Sequence, residues 1–331
     1  MSNFMEKNII YQTEAGEQTD FELEYIDKFL FGKIRHTNVF NYRAYSVIKE
    51  NPIVVFSNDS KNIDEEFKTY LKKLNSSILF HLSNEKLNHN ADYYRAAQLV
   101  FRAYWDPNIT SKNVYTLPLG FKAGFFNDNK AEVYTYNREI VWAFFGQLKS
   151  DRKEMCDTLK TLTPNYIHIT SGWSSEDQKS VSDIIAIYKK STFIPCPFGN
   201  VNPDSFRIME CLEYGCIPVT VKFKGIDYFQ YIYGDHPFIV GATWNECRKK
   251  MELLLTNKDA LKKKQLEVID WYKQFCDNLT DDIESLLAGN LSNLKSHQFR
   301  YQKQAKKELL LRLKFYNYFT IKPFIRSYLR K

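Results

Sequence analysis

The sequence predicts an α/β protein made of two doubly wound parallel sheets. Three observations predict it. Short apolar runs alternate with amphipathic stretches along most of the chain, a polar turn-rich segment parts this pattern into two halves, and 331 residues exceed the roughly 250–300 over which one core normally grows.

In the first half, the apolar runs Pro52–Ser57, Ser77–Ser83, Leu99–Trp105 and Val114–Leu119 read as strands. Helical spacing at Asp64–Leu74 and Ala91–Gln98 separates them. The segment Lys122–Arg138, with Gly124, Asn127, Asp128, Asn129 and Asn137, has the composition of a linker. In the second half, strands are expected at Val141–Gln147, Tyr166–Thr170, Phe193–Pro197, Ile217–Val221 and Phe238–Val240. The matching helices fall near Arg152–Leu162, Glu176–Lys190 and Pro203–Tyr214, and the chain turns strongly helical from Thr243 to about Leu287. These signals divide the chain into domains 1–130 and 131–288 and a tail, 289–331. Ligands of open α/β sheets sit beyond the carboxyl ends of the strands, so a ligand between two facing sheets is expected.

Composition narrows the class. The hydrophobic share of 44% is that of a globular protein, and no run of about 18 apolar residues marks a membrane span. The N-terminus lacks the apolar block of a signal peptide, so a cytoplasmic location is expected. The six cysteines show no paired spacing, which argues against zinc and disulfides. From Arg300 to Lys331, ten Lys/Arg stand against Glu308 alone, interleaved with Leu, Phe, Tyr and Ile. Such a tail suits an anionic membrane surface; plain packing on the protein and a nucleic-acid contact compete with that reading, although no nucleic-acid partner is expected.

The stretch Phe193–Val221 carries the chemistry. Asn202 as N-cap, Pro203 at the first helical position and Asp204 in the first turn predict a helix start, and Gly215 marks its end. A helix that opens after a strand and a Gly-containing loop offers backbone N–H groups to a phosphate. Ser205 and Arg207 add a hydroxyl and a guanidinium, and Glu210, about 7.5 Å further along the axis, suits the ribose hydroxyls of a nucleotide. A surface helix with an Arg207–Glu210 pair accounts for the same spacing.

Pro197, Gly199, Ser205, Arg207, Glu210, Leu212, Gly215, Cys216, Ile217, Pro218 and Val219 together form a pattern that resembles the donor-site segment of exostosin-type inverting glycosyltransferases. The stretches Leu79–Glu85, Val100–Trp105, Leu117–Phe121 and Trp142–Met155 resemble related members, including the ribitol-phosphate xylosyltransferase branch. The resemblance spans about residues 77–221. It implies a GT-B architecture: two Rossmann-like domains facing an interdomain cleft, the nucleotide sugar on the C-terminal one and the acceptor toward the N-terminal one. Donor contacts are then expected from Gly146, Lys149, Arg152, Pro197, Gly199, Asn200, Ser205, Arg207 and Glu210, with Lys149 and Arg152 neutralising the departing diphosphate.

Transfer with inversion needs a base to deprotonate the acceptor. Glu85 is the preferred candidate and His81 the second, although His81 also suits a packed core position; Asp92 is a reserve. Asn84 stands where related sequences carry an acid. Arg95 and Arg102 could meet an acidic acceptor, and Trp105, Trp173 or Tyr94 could stack on a sugar. The chain has no Asp-x-Asp, so no metal or other cofactor is expected.

The expected function is transfer from a nucleotide diphosphate sugar, UDP-linked, with UDP-xylose or a similar sugar as candidate, to a surface-glycan, polyol-phosphate or lipid-linked acceptor, on the inner face of a membrane. A non-catalytic glycan or nucleotide binder and a sugar-nucleotide epimerase or hydrolase are the alternatives.

Overall fold

The computed structural model describes residues 7–12, 20–45, 52–57, 65–74, 77–85, 92–106, 109, 111–128, 138–172, 175–290 and 294–296. The expected membrane-binding tail 300–331, Trp173 and much of the expected linker lie outside these residues. The chain forms two compact units: residues 1–119 with 278–331, and residues 120–277.

Unit 1 holds a six-stranded parallel sheet in the order β2-β1-β3-β4-β5-β6. Its strands are β1 (Lys7–Tyr11), β2 (His36–Val39), β3 (Ile53–Ser57), β4 (Ile78–Leu82), β5 (Leu99–Ala103) and β6 (Val114–Leu117). Every residue of β3, β4 and β5 is buried, as both-face coverage of a parallel sheet requires. Helix α1 (Asp20–Glu24) runs directly into a π-helical turn at Tyr25–Leu30. Helix α2 (Glu65–Lys73) sets Phe67 and Leu71 against Phe56, Leu79 and Val100. The helix expected at Ala91–Gln98 is instead a short 3-10 turn, Asp92–Ala96. Asn113 fixes it by donating to the carbonyls of Tyr94 and Ala97, both at 2.8 Å.

Unit 2 repeats this winding with five parallel strands in the order β11-β10-β9-β7-β8. They are β7 (Ile140–Gly146), β8 (Asn165–Ile169), β9 (Ser191–Pro195), β10 (Ile217–Val221) and β11 (Ile239–Gly241). In both sheets the first strand has the second on one side and the third on the other. The connections therefore diverge between first and third strands, which makes β7/β9 the topological switch point of unit 2.

Helix α3 (Arg152–Leu159) is held to β7 by Trp142, whose Nε1 donates to the carbonyls of Leu159 and Leu162, both at 3.0 Å. Helix α4 (Val181–Lys190) starts five residues later than expected because Ser180 caps it, accepting from the Asp183 amide at 3.1 Å. Helix α5 (Arg207–Glu213) ends at Gly215, φ +65°, with the Cys216 amide returning to the Cys211 carbonyl at 3.1 Å. A single turn, α6 (Gln230–Tyr233), precedes β11, and α7 (Trp244–Leu255) and α8 (Lys258–Leu287) complete the helical C-terminal region. Asn278 returns the chain, within α8, to unit 1.

Arg138 ties several of these elements together. Its Nη1 donates to the carbonyls of Tyr188 (2.9 Å) and Ser191 (2.7 Å), and its Nη2 to that of Tyr214 (2.7 Å). Replacing Arg138 with Ala leaves these carbonyls without their charged donor. We expect a loss on the order of 3 kcal/mol, read as a lowered Tm in thermal denaturation; an unchanged Tm would contradict this account.

Candidate functional site

At the switch point of unit 2, β7 ends in Gly146 with φ +138°, a conformation that favours glycine. A Cβ there would stand 3.5 Å from Arg207 Nη2 and 3.8 Å from Arg152 Nη1. The three residues come from the end of β7 and the starts of α5 and α3, so the fold gathers candidates that the sequence separates widely.

The two arginines differ in role. Arg152 is 8% exposed; its Nε and Nη2 donate to the Phe198 carbonyl at 3.3 and 3.0 Å and its Nη1 to the Gln147 carbonyl. It holds the loop beyond β9, a correction to its expected contact with a leaving group. Asp151 completes the clamp: Oδ1 accepts the Phe198 amide at 3.2 Å and Oδ2 accepts Trp244 Nε1 at 3.1 Å. Burial raises the Asp151 carboxyl above the usual range, opposed by these hydrogen bonds. Arg207 remains half-buried. Its Nη2 donates to the Phe145 carbonyl at 2.8 Å and its guanidinium lies 5.1 Å from the Phe144 ring centroid, which occupies one donor of five.

The helix does not open at Pro203. The Gly199 amide bonds to the Asn202 carbonyl at 2.8 Å, and Asn202 and Asp204 are 7% and 1% exposed. The stretch from Asn202 to Ser205 forms a turn, and α5 begins at Arg207. Ser205 therefore lies outside the helix, and the axial spacing from Ser205 to Glu210 no longer applies. Ser205 Oγ and Glu210 Oε1 are buried and have no hydrogen bond among the described residues. Glu210 has Lys122 Nζ at 3.8 Å. Arg207 and Glu210 both act on the buried Tyr188 hydroxyl, which burial raises, Glu210 raises further and Arg207 lowers. Pro197 and Gly199 are buried in the loop, Asn200 is exposed and Lys149 half-buried.

In unit 1 the expected groups separate. His81 is fully buried, stacked on Phe56 with centroids 4.4 Å apart and hydrogen-bonded through Nδ1 to the Tyr94 hydroxyl at 2.5 Å. It is a core histidine, which corrects its reading as a second base. Trp105 and Tyr94, 2% and 1% exposed, are core residues and not sugar platforms. Arg102, 2% exposed, donates from Nε to the Ala103 carbonyl at 3.1 Å, so it too lies inside and does not present a face to an acceptor. Arg95 is exposed and Glu85 half-buried past β4.

Sequence reading missed one acid at this edge. Glu22 on α1 is 1% exposed and accepts the Ser83 hydroxyl at 2.5 Å. Burial pushes its carboxyl up to about 7, with the Ser83 hydrogen bond opposing the shift. The preceding strand β1 is only KNIIY, too short and polar-flanked to announce the loop after it.

A cavity of about 380 Å³ lies elsewhere in unit 2, lined by Asp227, Asp235, His236, Glu267 and Trp271. Its three carboxylates would repel a diphosphate, so it is not the donor site. Among the described residues, no helix is long and apolar enough to cross a membrane.

A family model described as the RXYLT1 C-terminal domain, that of ribitol xylosyltransferase, matches residues 124–291, just over half of the chain. Among solved structures, an α1,3-fucosyltransferase shows 11% identity with a TM-score of 0.49, covering 86% of this chain and 94% of that one. Anabaena HepE in complex with UDP and glucose gives 11% and 0.49, covering 86% and 100%. AviGT4, a glycosyltransferase involved in avilamycin A biosynthesis, gives 9% and 0.36, covering 86% and 99%. Likeness at this level transfers no role onto these residues. A search of curated proteins finds no match. The family match takes in the switch point, Arg207 and Glu210, and with it the chain belongs to the RXYLT1 C-terminal domain family and is a glycosyltransferase.

Proposed function

We propose that the protein transfers a sugar, with inversion, from a nucleotide diphosphate donor to a hydroxyl of a glycan or polyol-phosphate acceptor. The donor is UDP-linked, UDP-xylose being the first choice because the matching family is that of ribitol xylosyltransferase. One observation carries the reading most directly. At the switch point of unit 2 a half-buried guanidinium with unused donors shares its neighbourhood with a buried carboxylate oxygen that has no hydrogen bond. Buried polar atoms without partners mark places where a ligand completes the hydrogen bonding.

In this reading, Arg207 grips the diphosphate, Lys149 adds a second cation and Gly146 lets the backbone approach closely. Ser205 donates to a phosphate oxygen, and Glu210 accepts from the ribose hydroxyls. The Asp151–Arg152 clamp holds Pro197, Gly199 and Asn200 in place without touching the donor. As charge moves onto the departing nucleotide diphosphate, these fixed cations stabilise it without reorganising. The proton of the acceptor hydroxyl goes to a group at the carboxyl edge of the unit 1 sheet, where Glu85 stands, and Arg95 is the acceptor contact that remains exposed. The reading requires no metal. The basic tail attaches the enzyme peripherally to the inner, cytoplasmic face of an anionic membrane, near lipid-linked acceptors.

The donor assignment is tested with UDP- and GDP-sugars, following thermal shift and nucleotide release. The wild-type protein should be stabilised by a UDP-sugar and release UDP slowly, and Arg207→Ala should weaken donor binding about 10- to 100-fold. Stabilisation without release favours a binding protein, and wild-type affinity in Arg207→Ala would remove Arg207 from the site. For the tail, a chain truncated before Arg300 should no longer sediment with phosphatidylserine vesicles at low salt. Undiminished sedimentation would reject the membrane role.

A further inference from the structure

At the carboxyl edge of the unit 1 sheet, the proposed transfer leaves a buried acid unused. Glu22 lies on α1, in the connection that follows β1, and is 1% exposed. Ser83, the first residue beyond β4, has φ +49°, a conformation rare outside glycine and one that active sites tolerate where it aims a side chain. Its hydroxyl donates to Glu22 Oε1 at 2.5 Å, and Glu22 Oε2 has no hydrogen bond among the described residues. Ser83 is itself half-buried, whereas Glu22 is not accessible. Among the described residues, no basic, acidic or imidazole group faces the carboxyl from α1, β4 or their neighbours; burial and Ser83 alone set its acidity.

A purely structural glutamate in such a place is normally matched by a cation or a set of amides, because an uncompensated buried charge is costly. Among the described residues its hydrogen-bond partner is a hydroxyl, which can pass a proton in either direction.

We propose that Ser83 and Glu22 form a proton relay that deprotonates the acceptor hydroxyl. The proposal rests on the transferase reading above and replaces Glu85 in that role. The acceptor O–H gives its proton to Ser83 Oγ as Ser83 gives its own to Glu22 Oε1. The acceptor oxygen forms the bond to the anomeric carbon, the bond from that carbon to the diphosphate oxygen breaks, and the nucleotide diphosphate leaves with the electron pair. Glu22 ends as a neutral acid and later returns the proton to water through Ser83. Ser83 is the group that meets the acceptor; Glu22 is a positioning residue that acts through it.

The relay works only while Glu22 is ionised, so its rate rises with pH through the carboxyl's elevated range, about 7. Folding stability has the opposite sign. Because the folded-state value lies above the ordinary 4.5, stability from this group is fully present below about 4.5 and is lost as pH rises through about 7.

The test compares wild type, Glu22→Gln, Ser83→Ala and Glu85→Gln for UDP or GDP release from UDP-xylose, UDP-glucose and GDP-fucose. Ribitol phosphate or water serves as acceptor, across about pH 5 to about pH 9. Glu22→Gln keeps an acceptor for the Ser83 hydroxyl but cannot take its proton. It should lose about 100-fold or more in kcat and lose the rise near pH 7, while its donor-induced thermal shift matches wild type. Ser83→Ala should fall comparably with its donor shift intact. A Glu22→Gln variant with wild-type rate and pH profile, or a loss confined to Glu85→Gln, overturns the relay and leaves the transferase reading standing. No donor-induced shift in the wild type overturns that reading, and the relay with it. Should Glu22→Gln fail to fold, Ser83→Ala decides alone: a loss of about 100-fold supports the relay and a wild-type rate overturns it.

Discussion

The proposed donor side of this protein depends on one hydrogen bond, from Arg207 Nη2 to the carbonyl of Phe145 at 2.8 Å. It joins the start of α5 to the last turn of β7, two elements that parallel winding makes neighbours and that sequence separates widely. The next residue, Gly146, has φ +138°, a backbone conformation that other residues rarely adopt, and the guanidinium lies at ordinary van der Waals distance, 3.5 Å, from where a Cβ would stand. An arginine used once by the protein keeps most of its fork for a ligand, and its position is fixed before any ligand arrives. That is the condition for electrostatic stabilisation without reorganisation.

Around this bond, Asp151 and Arg152 hold both the amide and the carbonyl of Phe198, one residue gripped by neighbouring side chains of opposite charge. Glu213 does a similar service at the far end of α5. Its carboxylate accepts the Asn127 amide at 3.1 Å and the Tyr272 hydroxyl at 2.5 Å, linking the segment after β6 and α8 to the helix that carries Arg207 and Glu210. The buried Glu213 is thus matched by hydrogen bonds, whereas Ser205 Oγ and Glu210 Oε1 are, with Thr220 Oγ1 and His236 Nε2, among the buried side-chain atoms of the described residues that have none. The contrast directs the functional reading to this edge of the sheet.

Much of the fold was legible because parallel strands covered on both faces are continuous apolar runs. Ile217–Val221 and the buried strands β3 to β5 follow from composition alone, within a residue or two at each end. Strands β1 and β2 were not legible, since KNIIY and HTNV carry too few apolar residues to stand out. The site was half legible. The Arg207, Glu210 and Gly215 pattern marked the segment proposed here for the donor, but Asn202-Pro203-Asp204-Ser205, which reads as a helix start, folds as a turn ahead of α5. Burial was invisible at Arg102, Trp105 and His81, whose types suit a site as well as a core. Glu22 escaped because nothing in DFELE distinguishes a surface acid from one enclosed by Ser83, sixty-one positions away.

The central claim is that a sugar nucleotide's diphosphate rests against Arg207 at the end of β7. Hydrogen–deuterium exchange with and without UDP tests it most directly, because the backbone amides near the ligand report on themselves without any substitution. The account predicts UDP-dependent protection of the amides around Gly146 and of the loop from Pro197 to Arg207. Protection confined to the acidic cavity around Asp227 and His236, or none at any position, would contradict it.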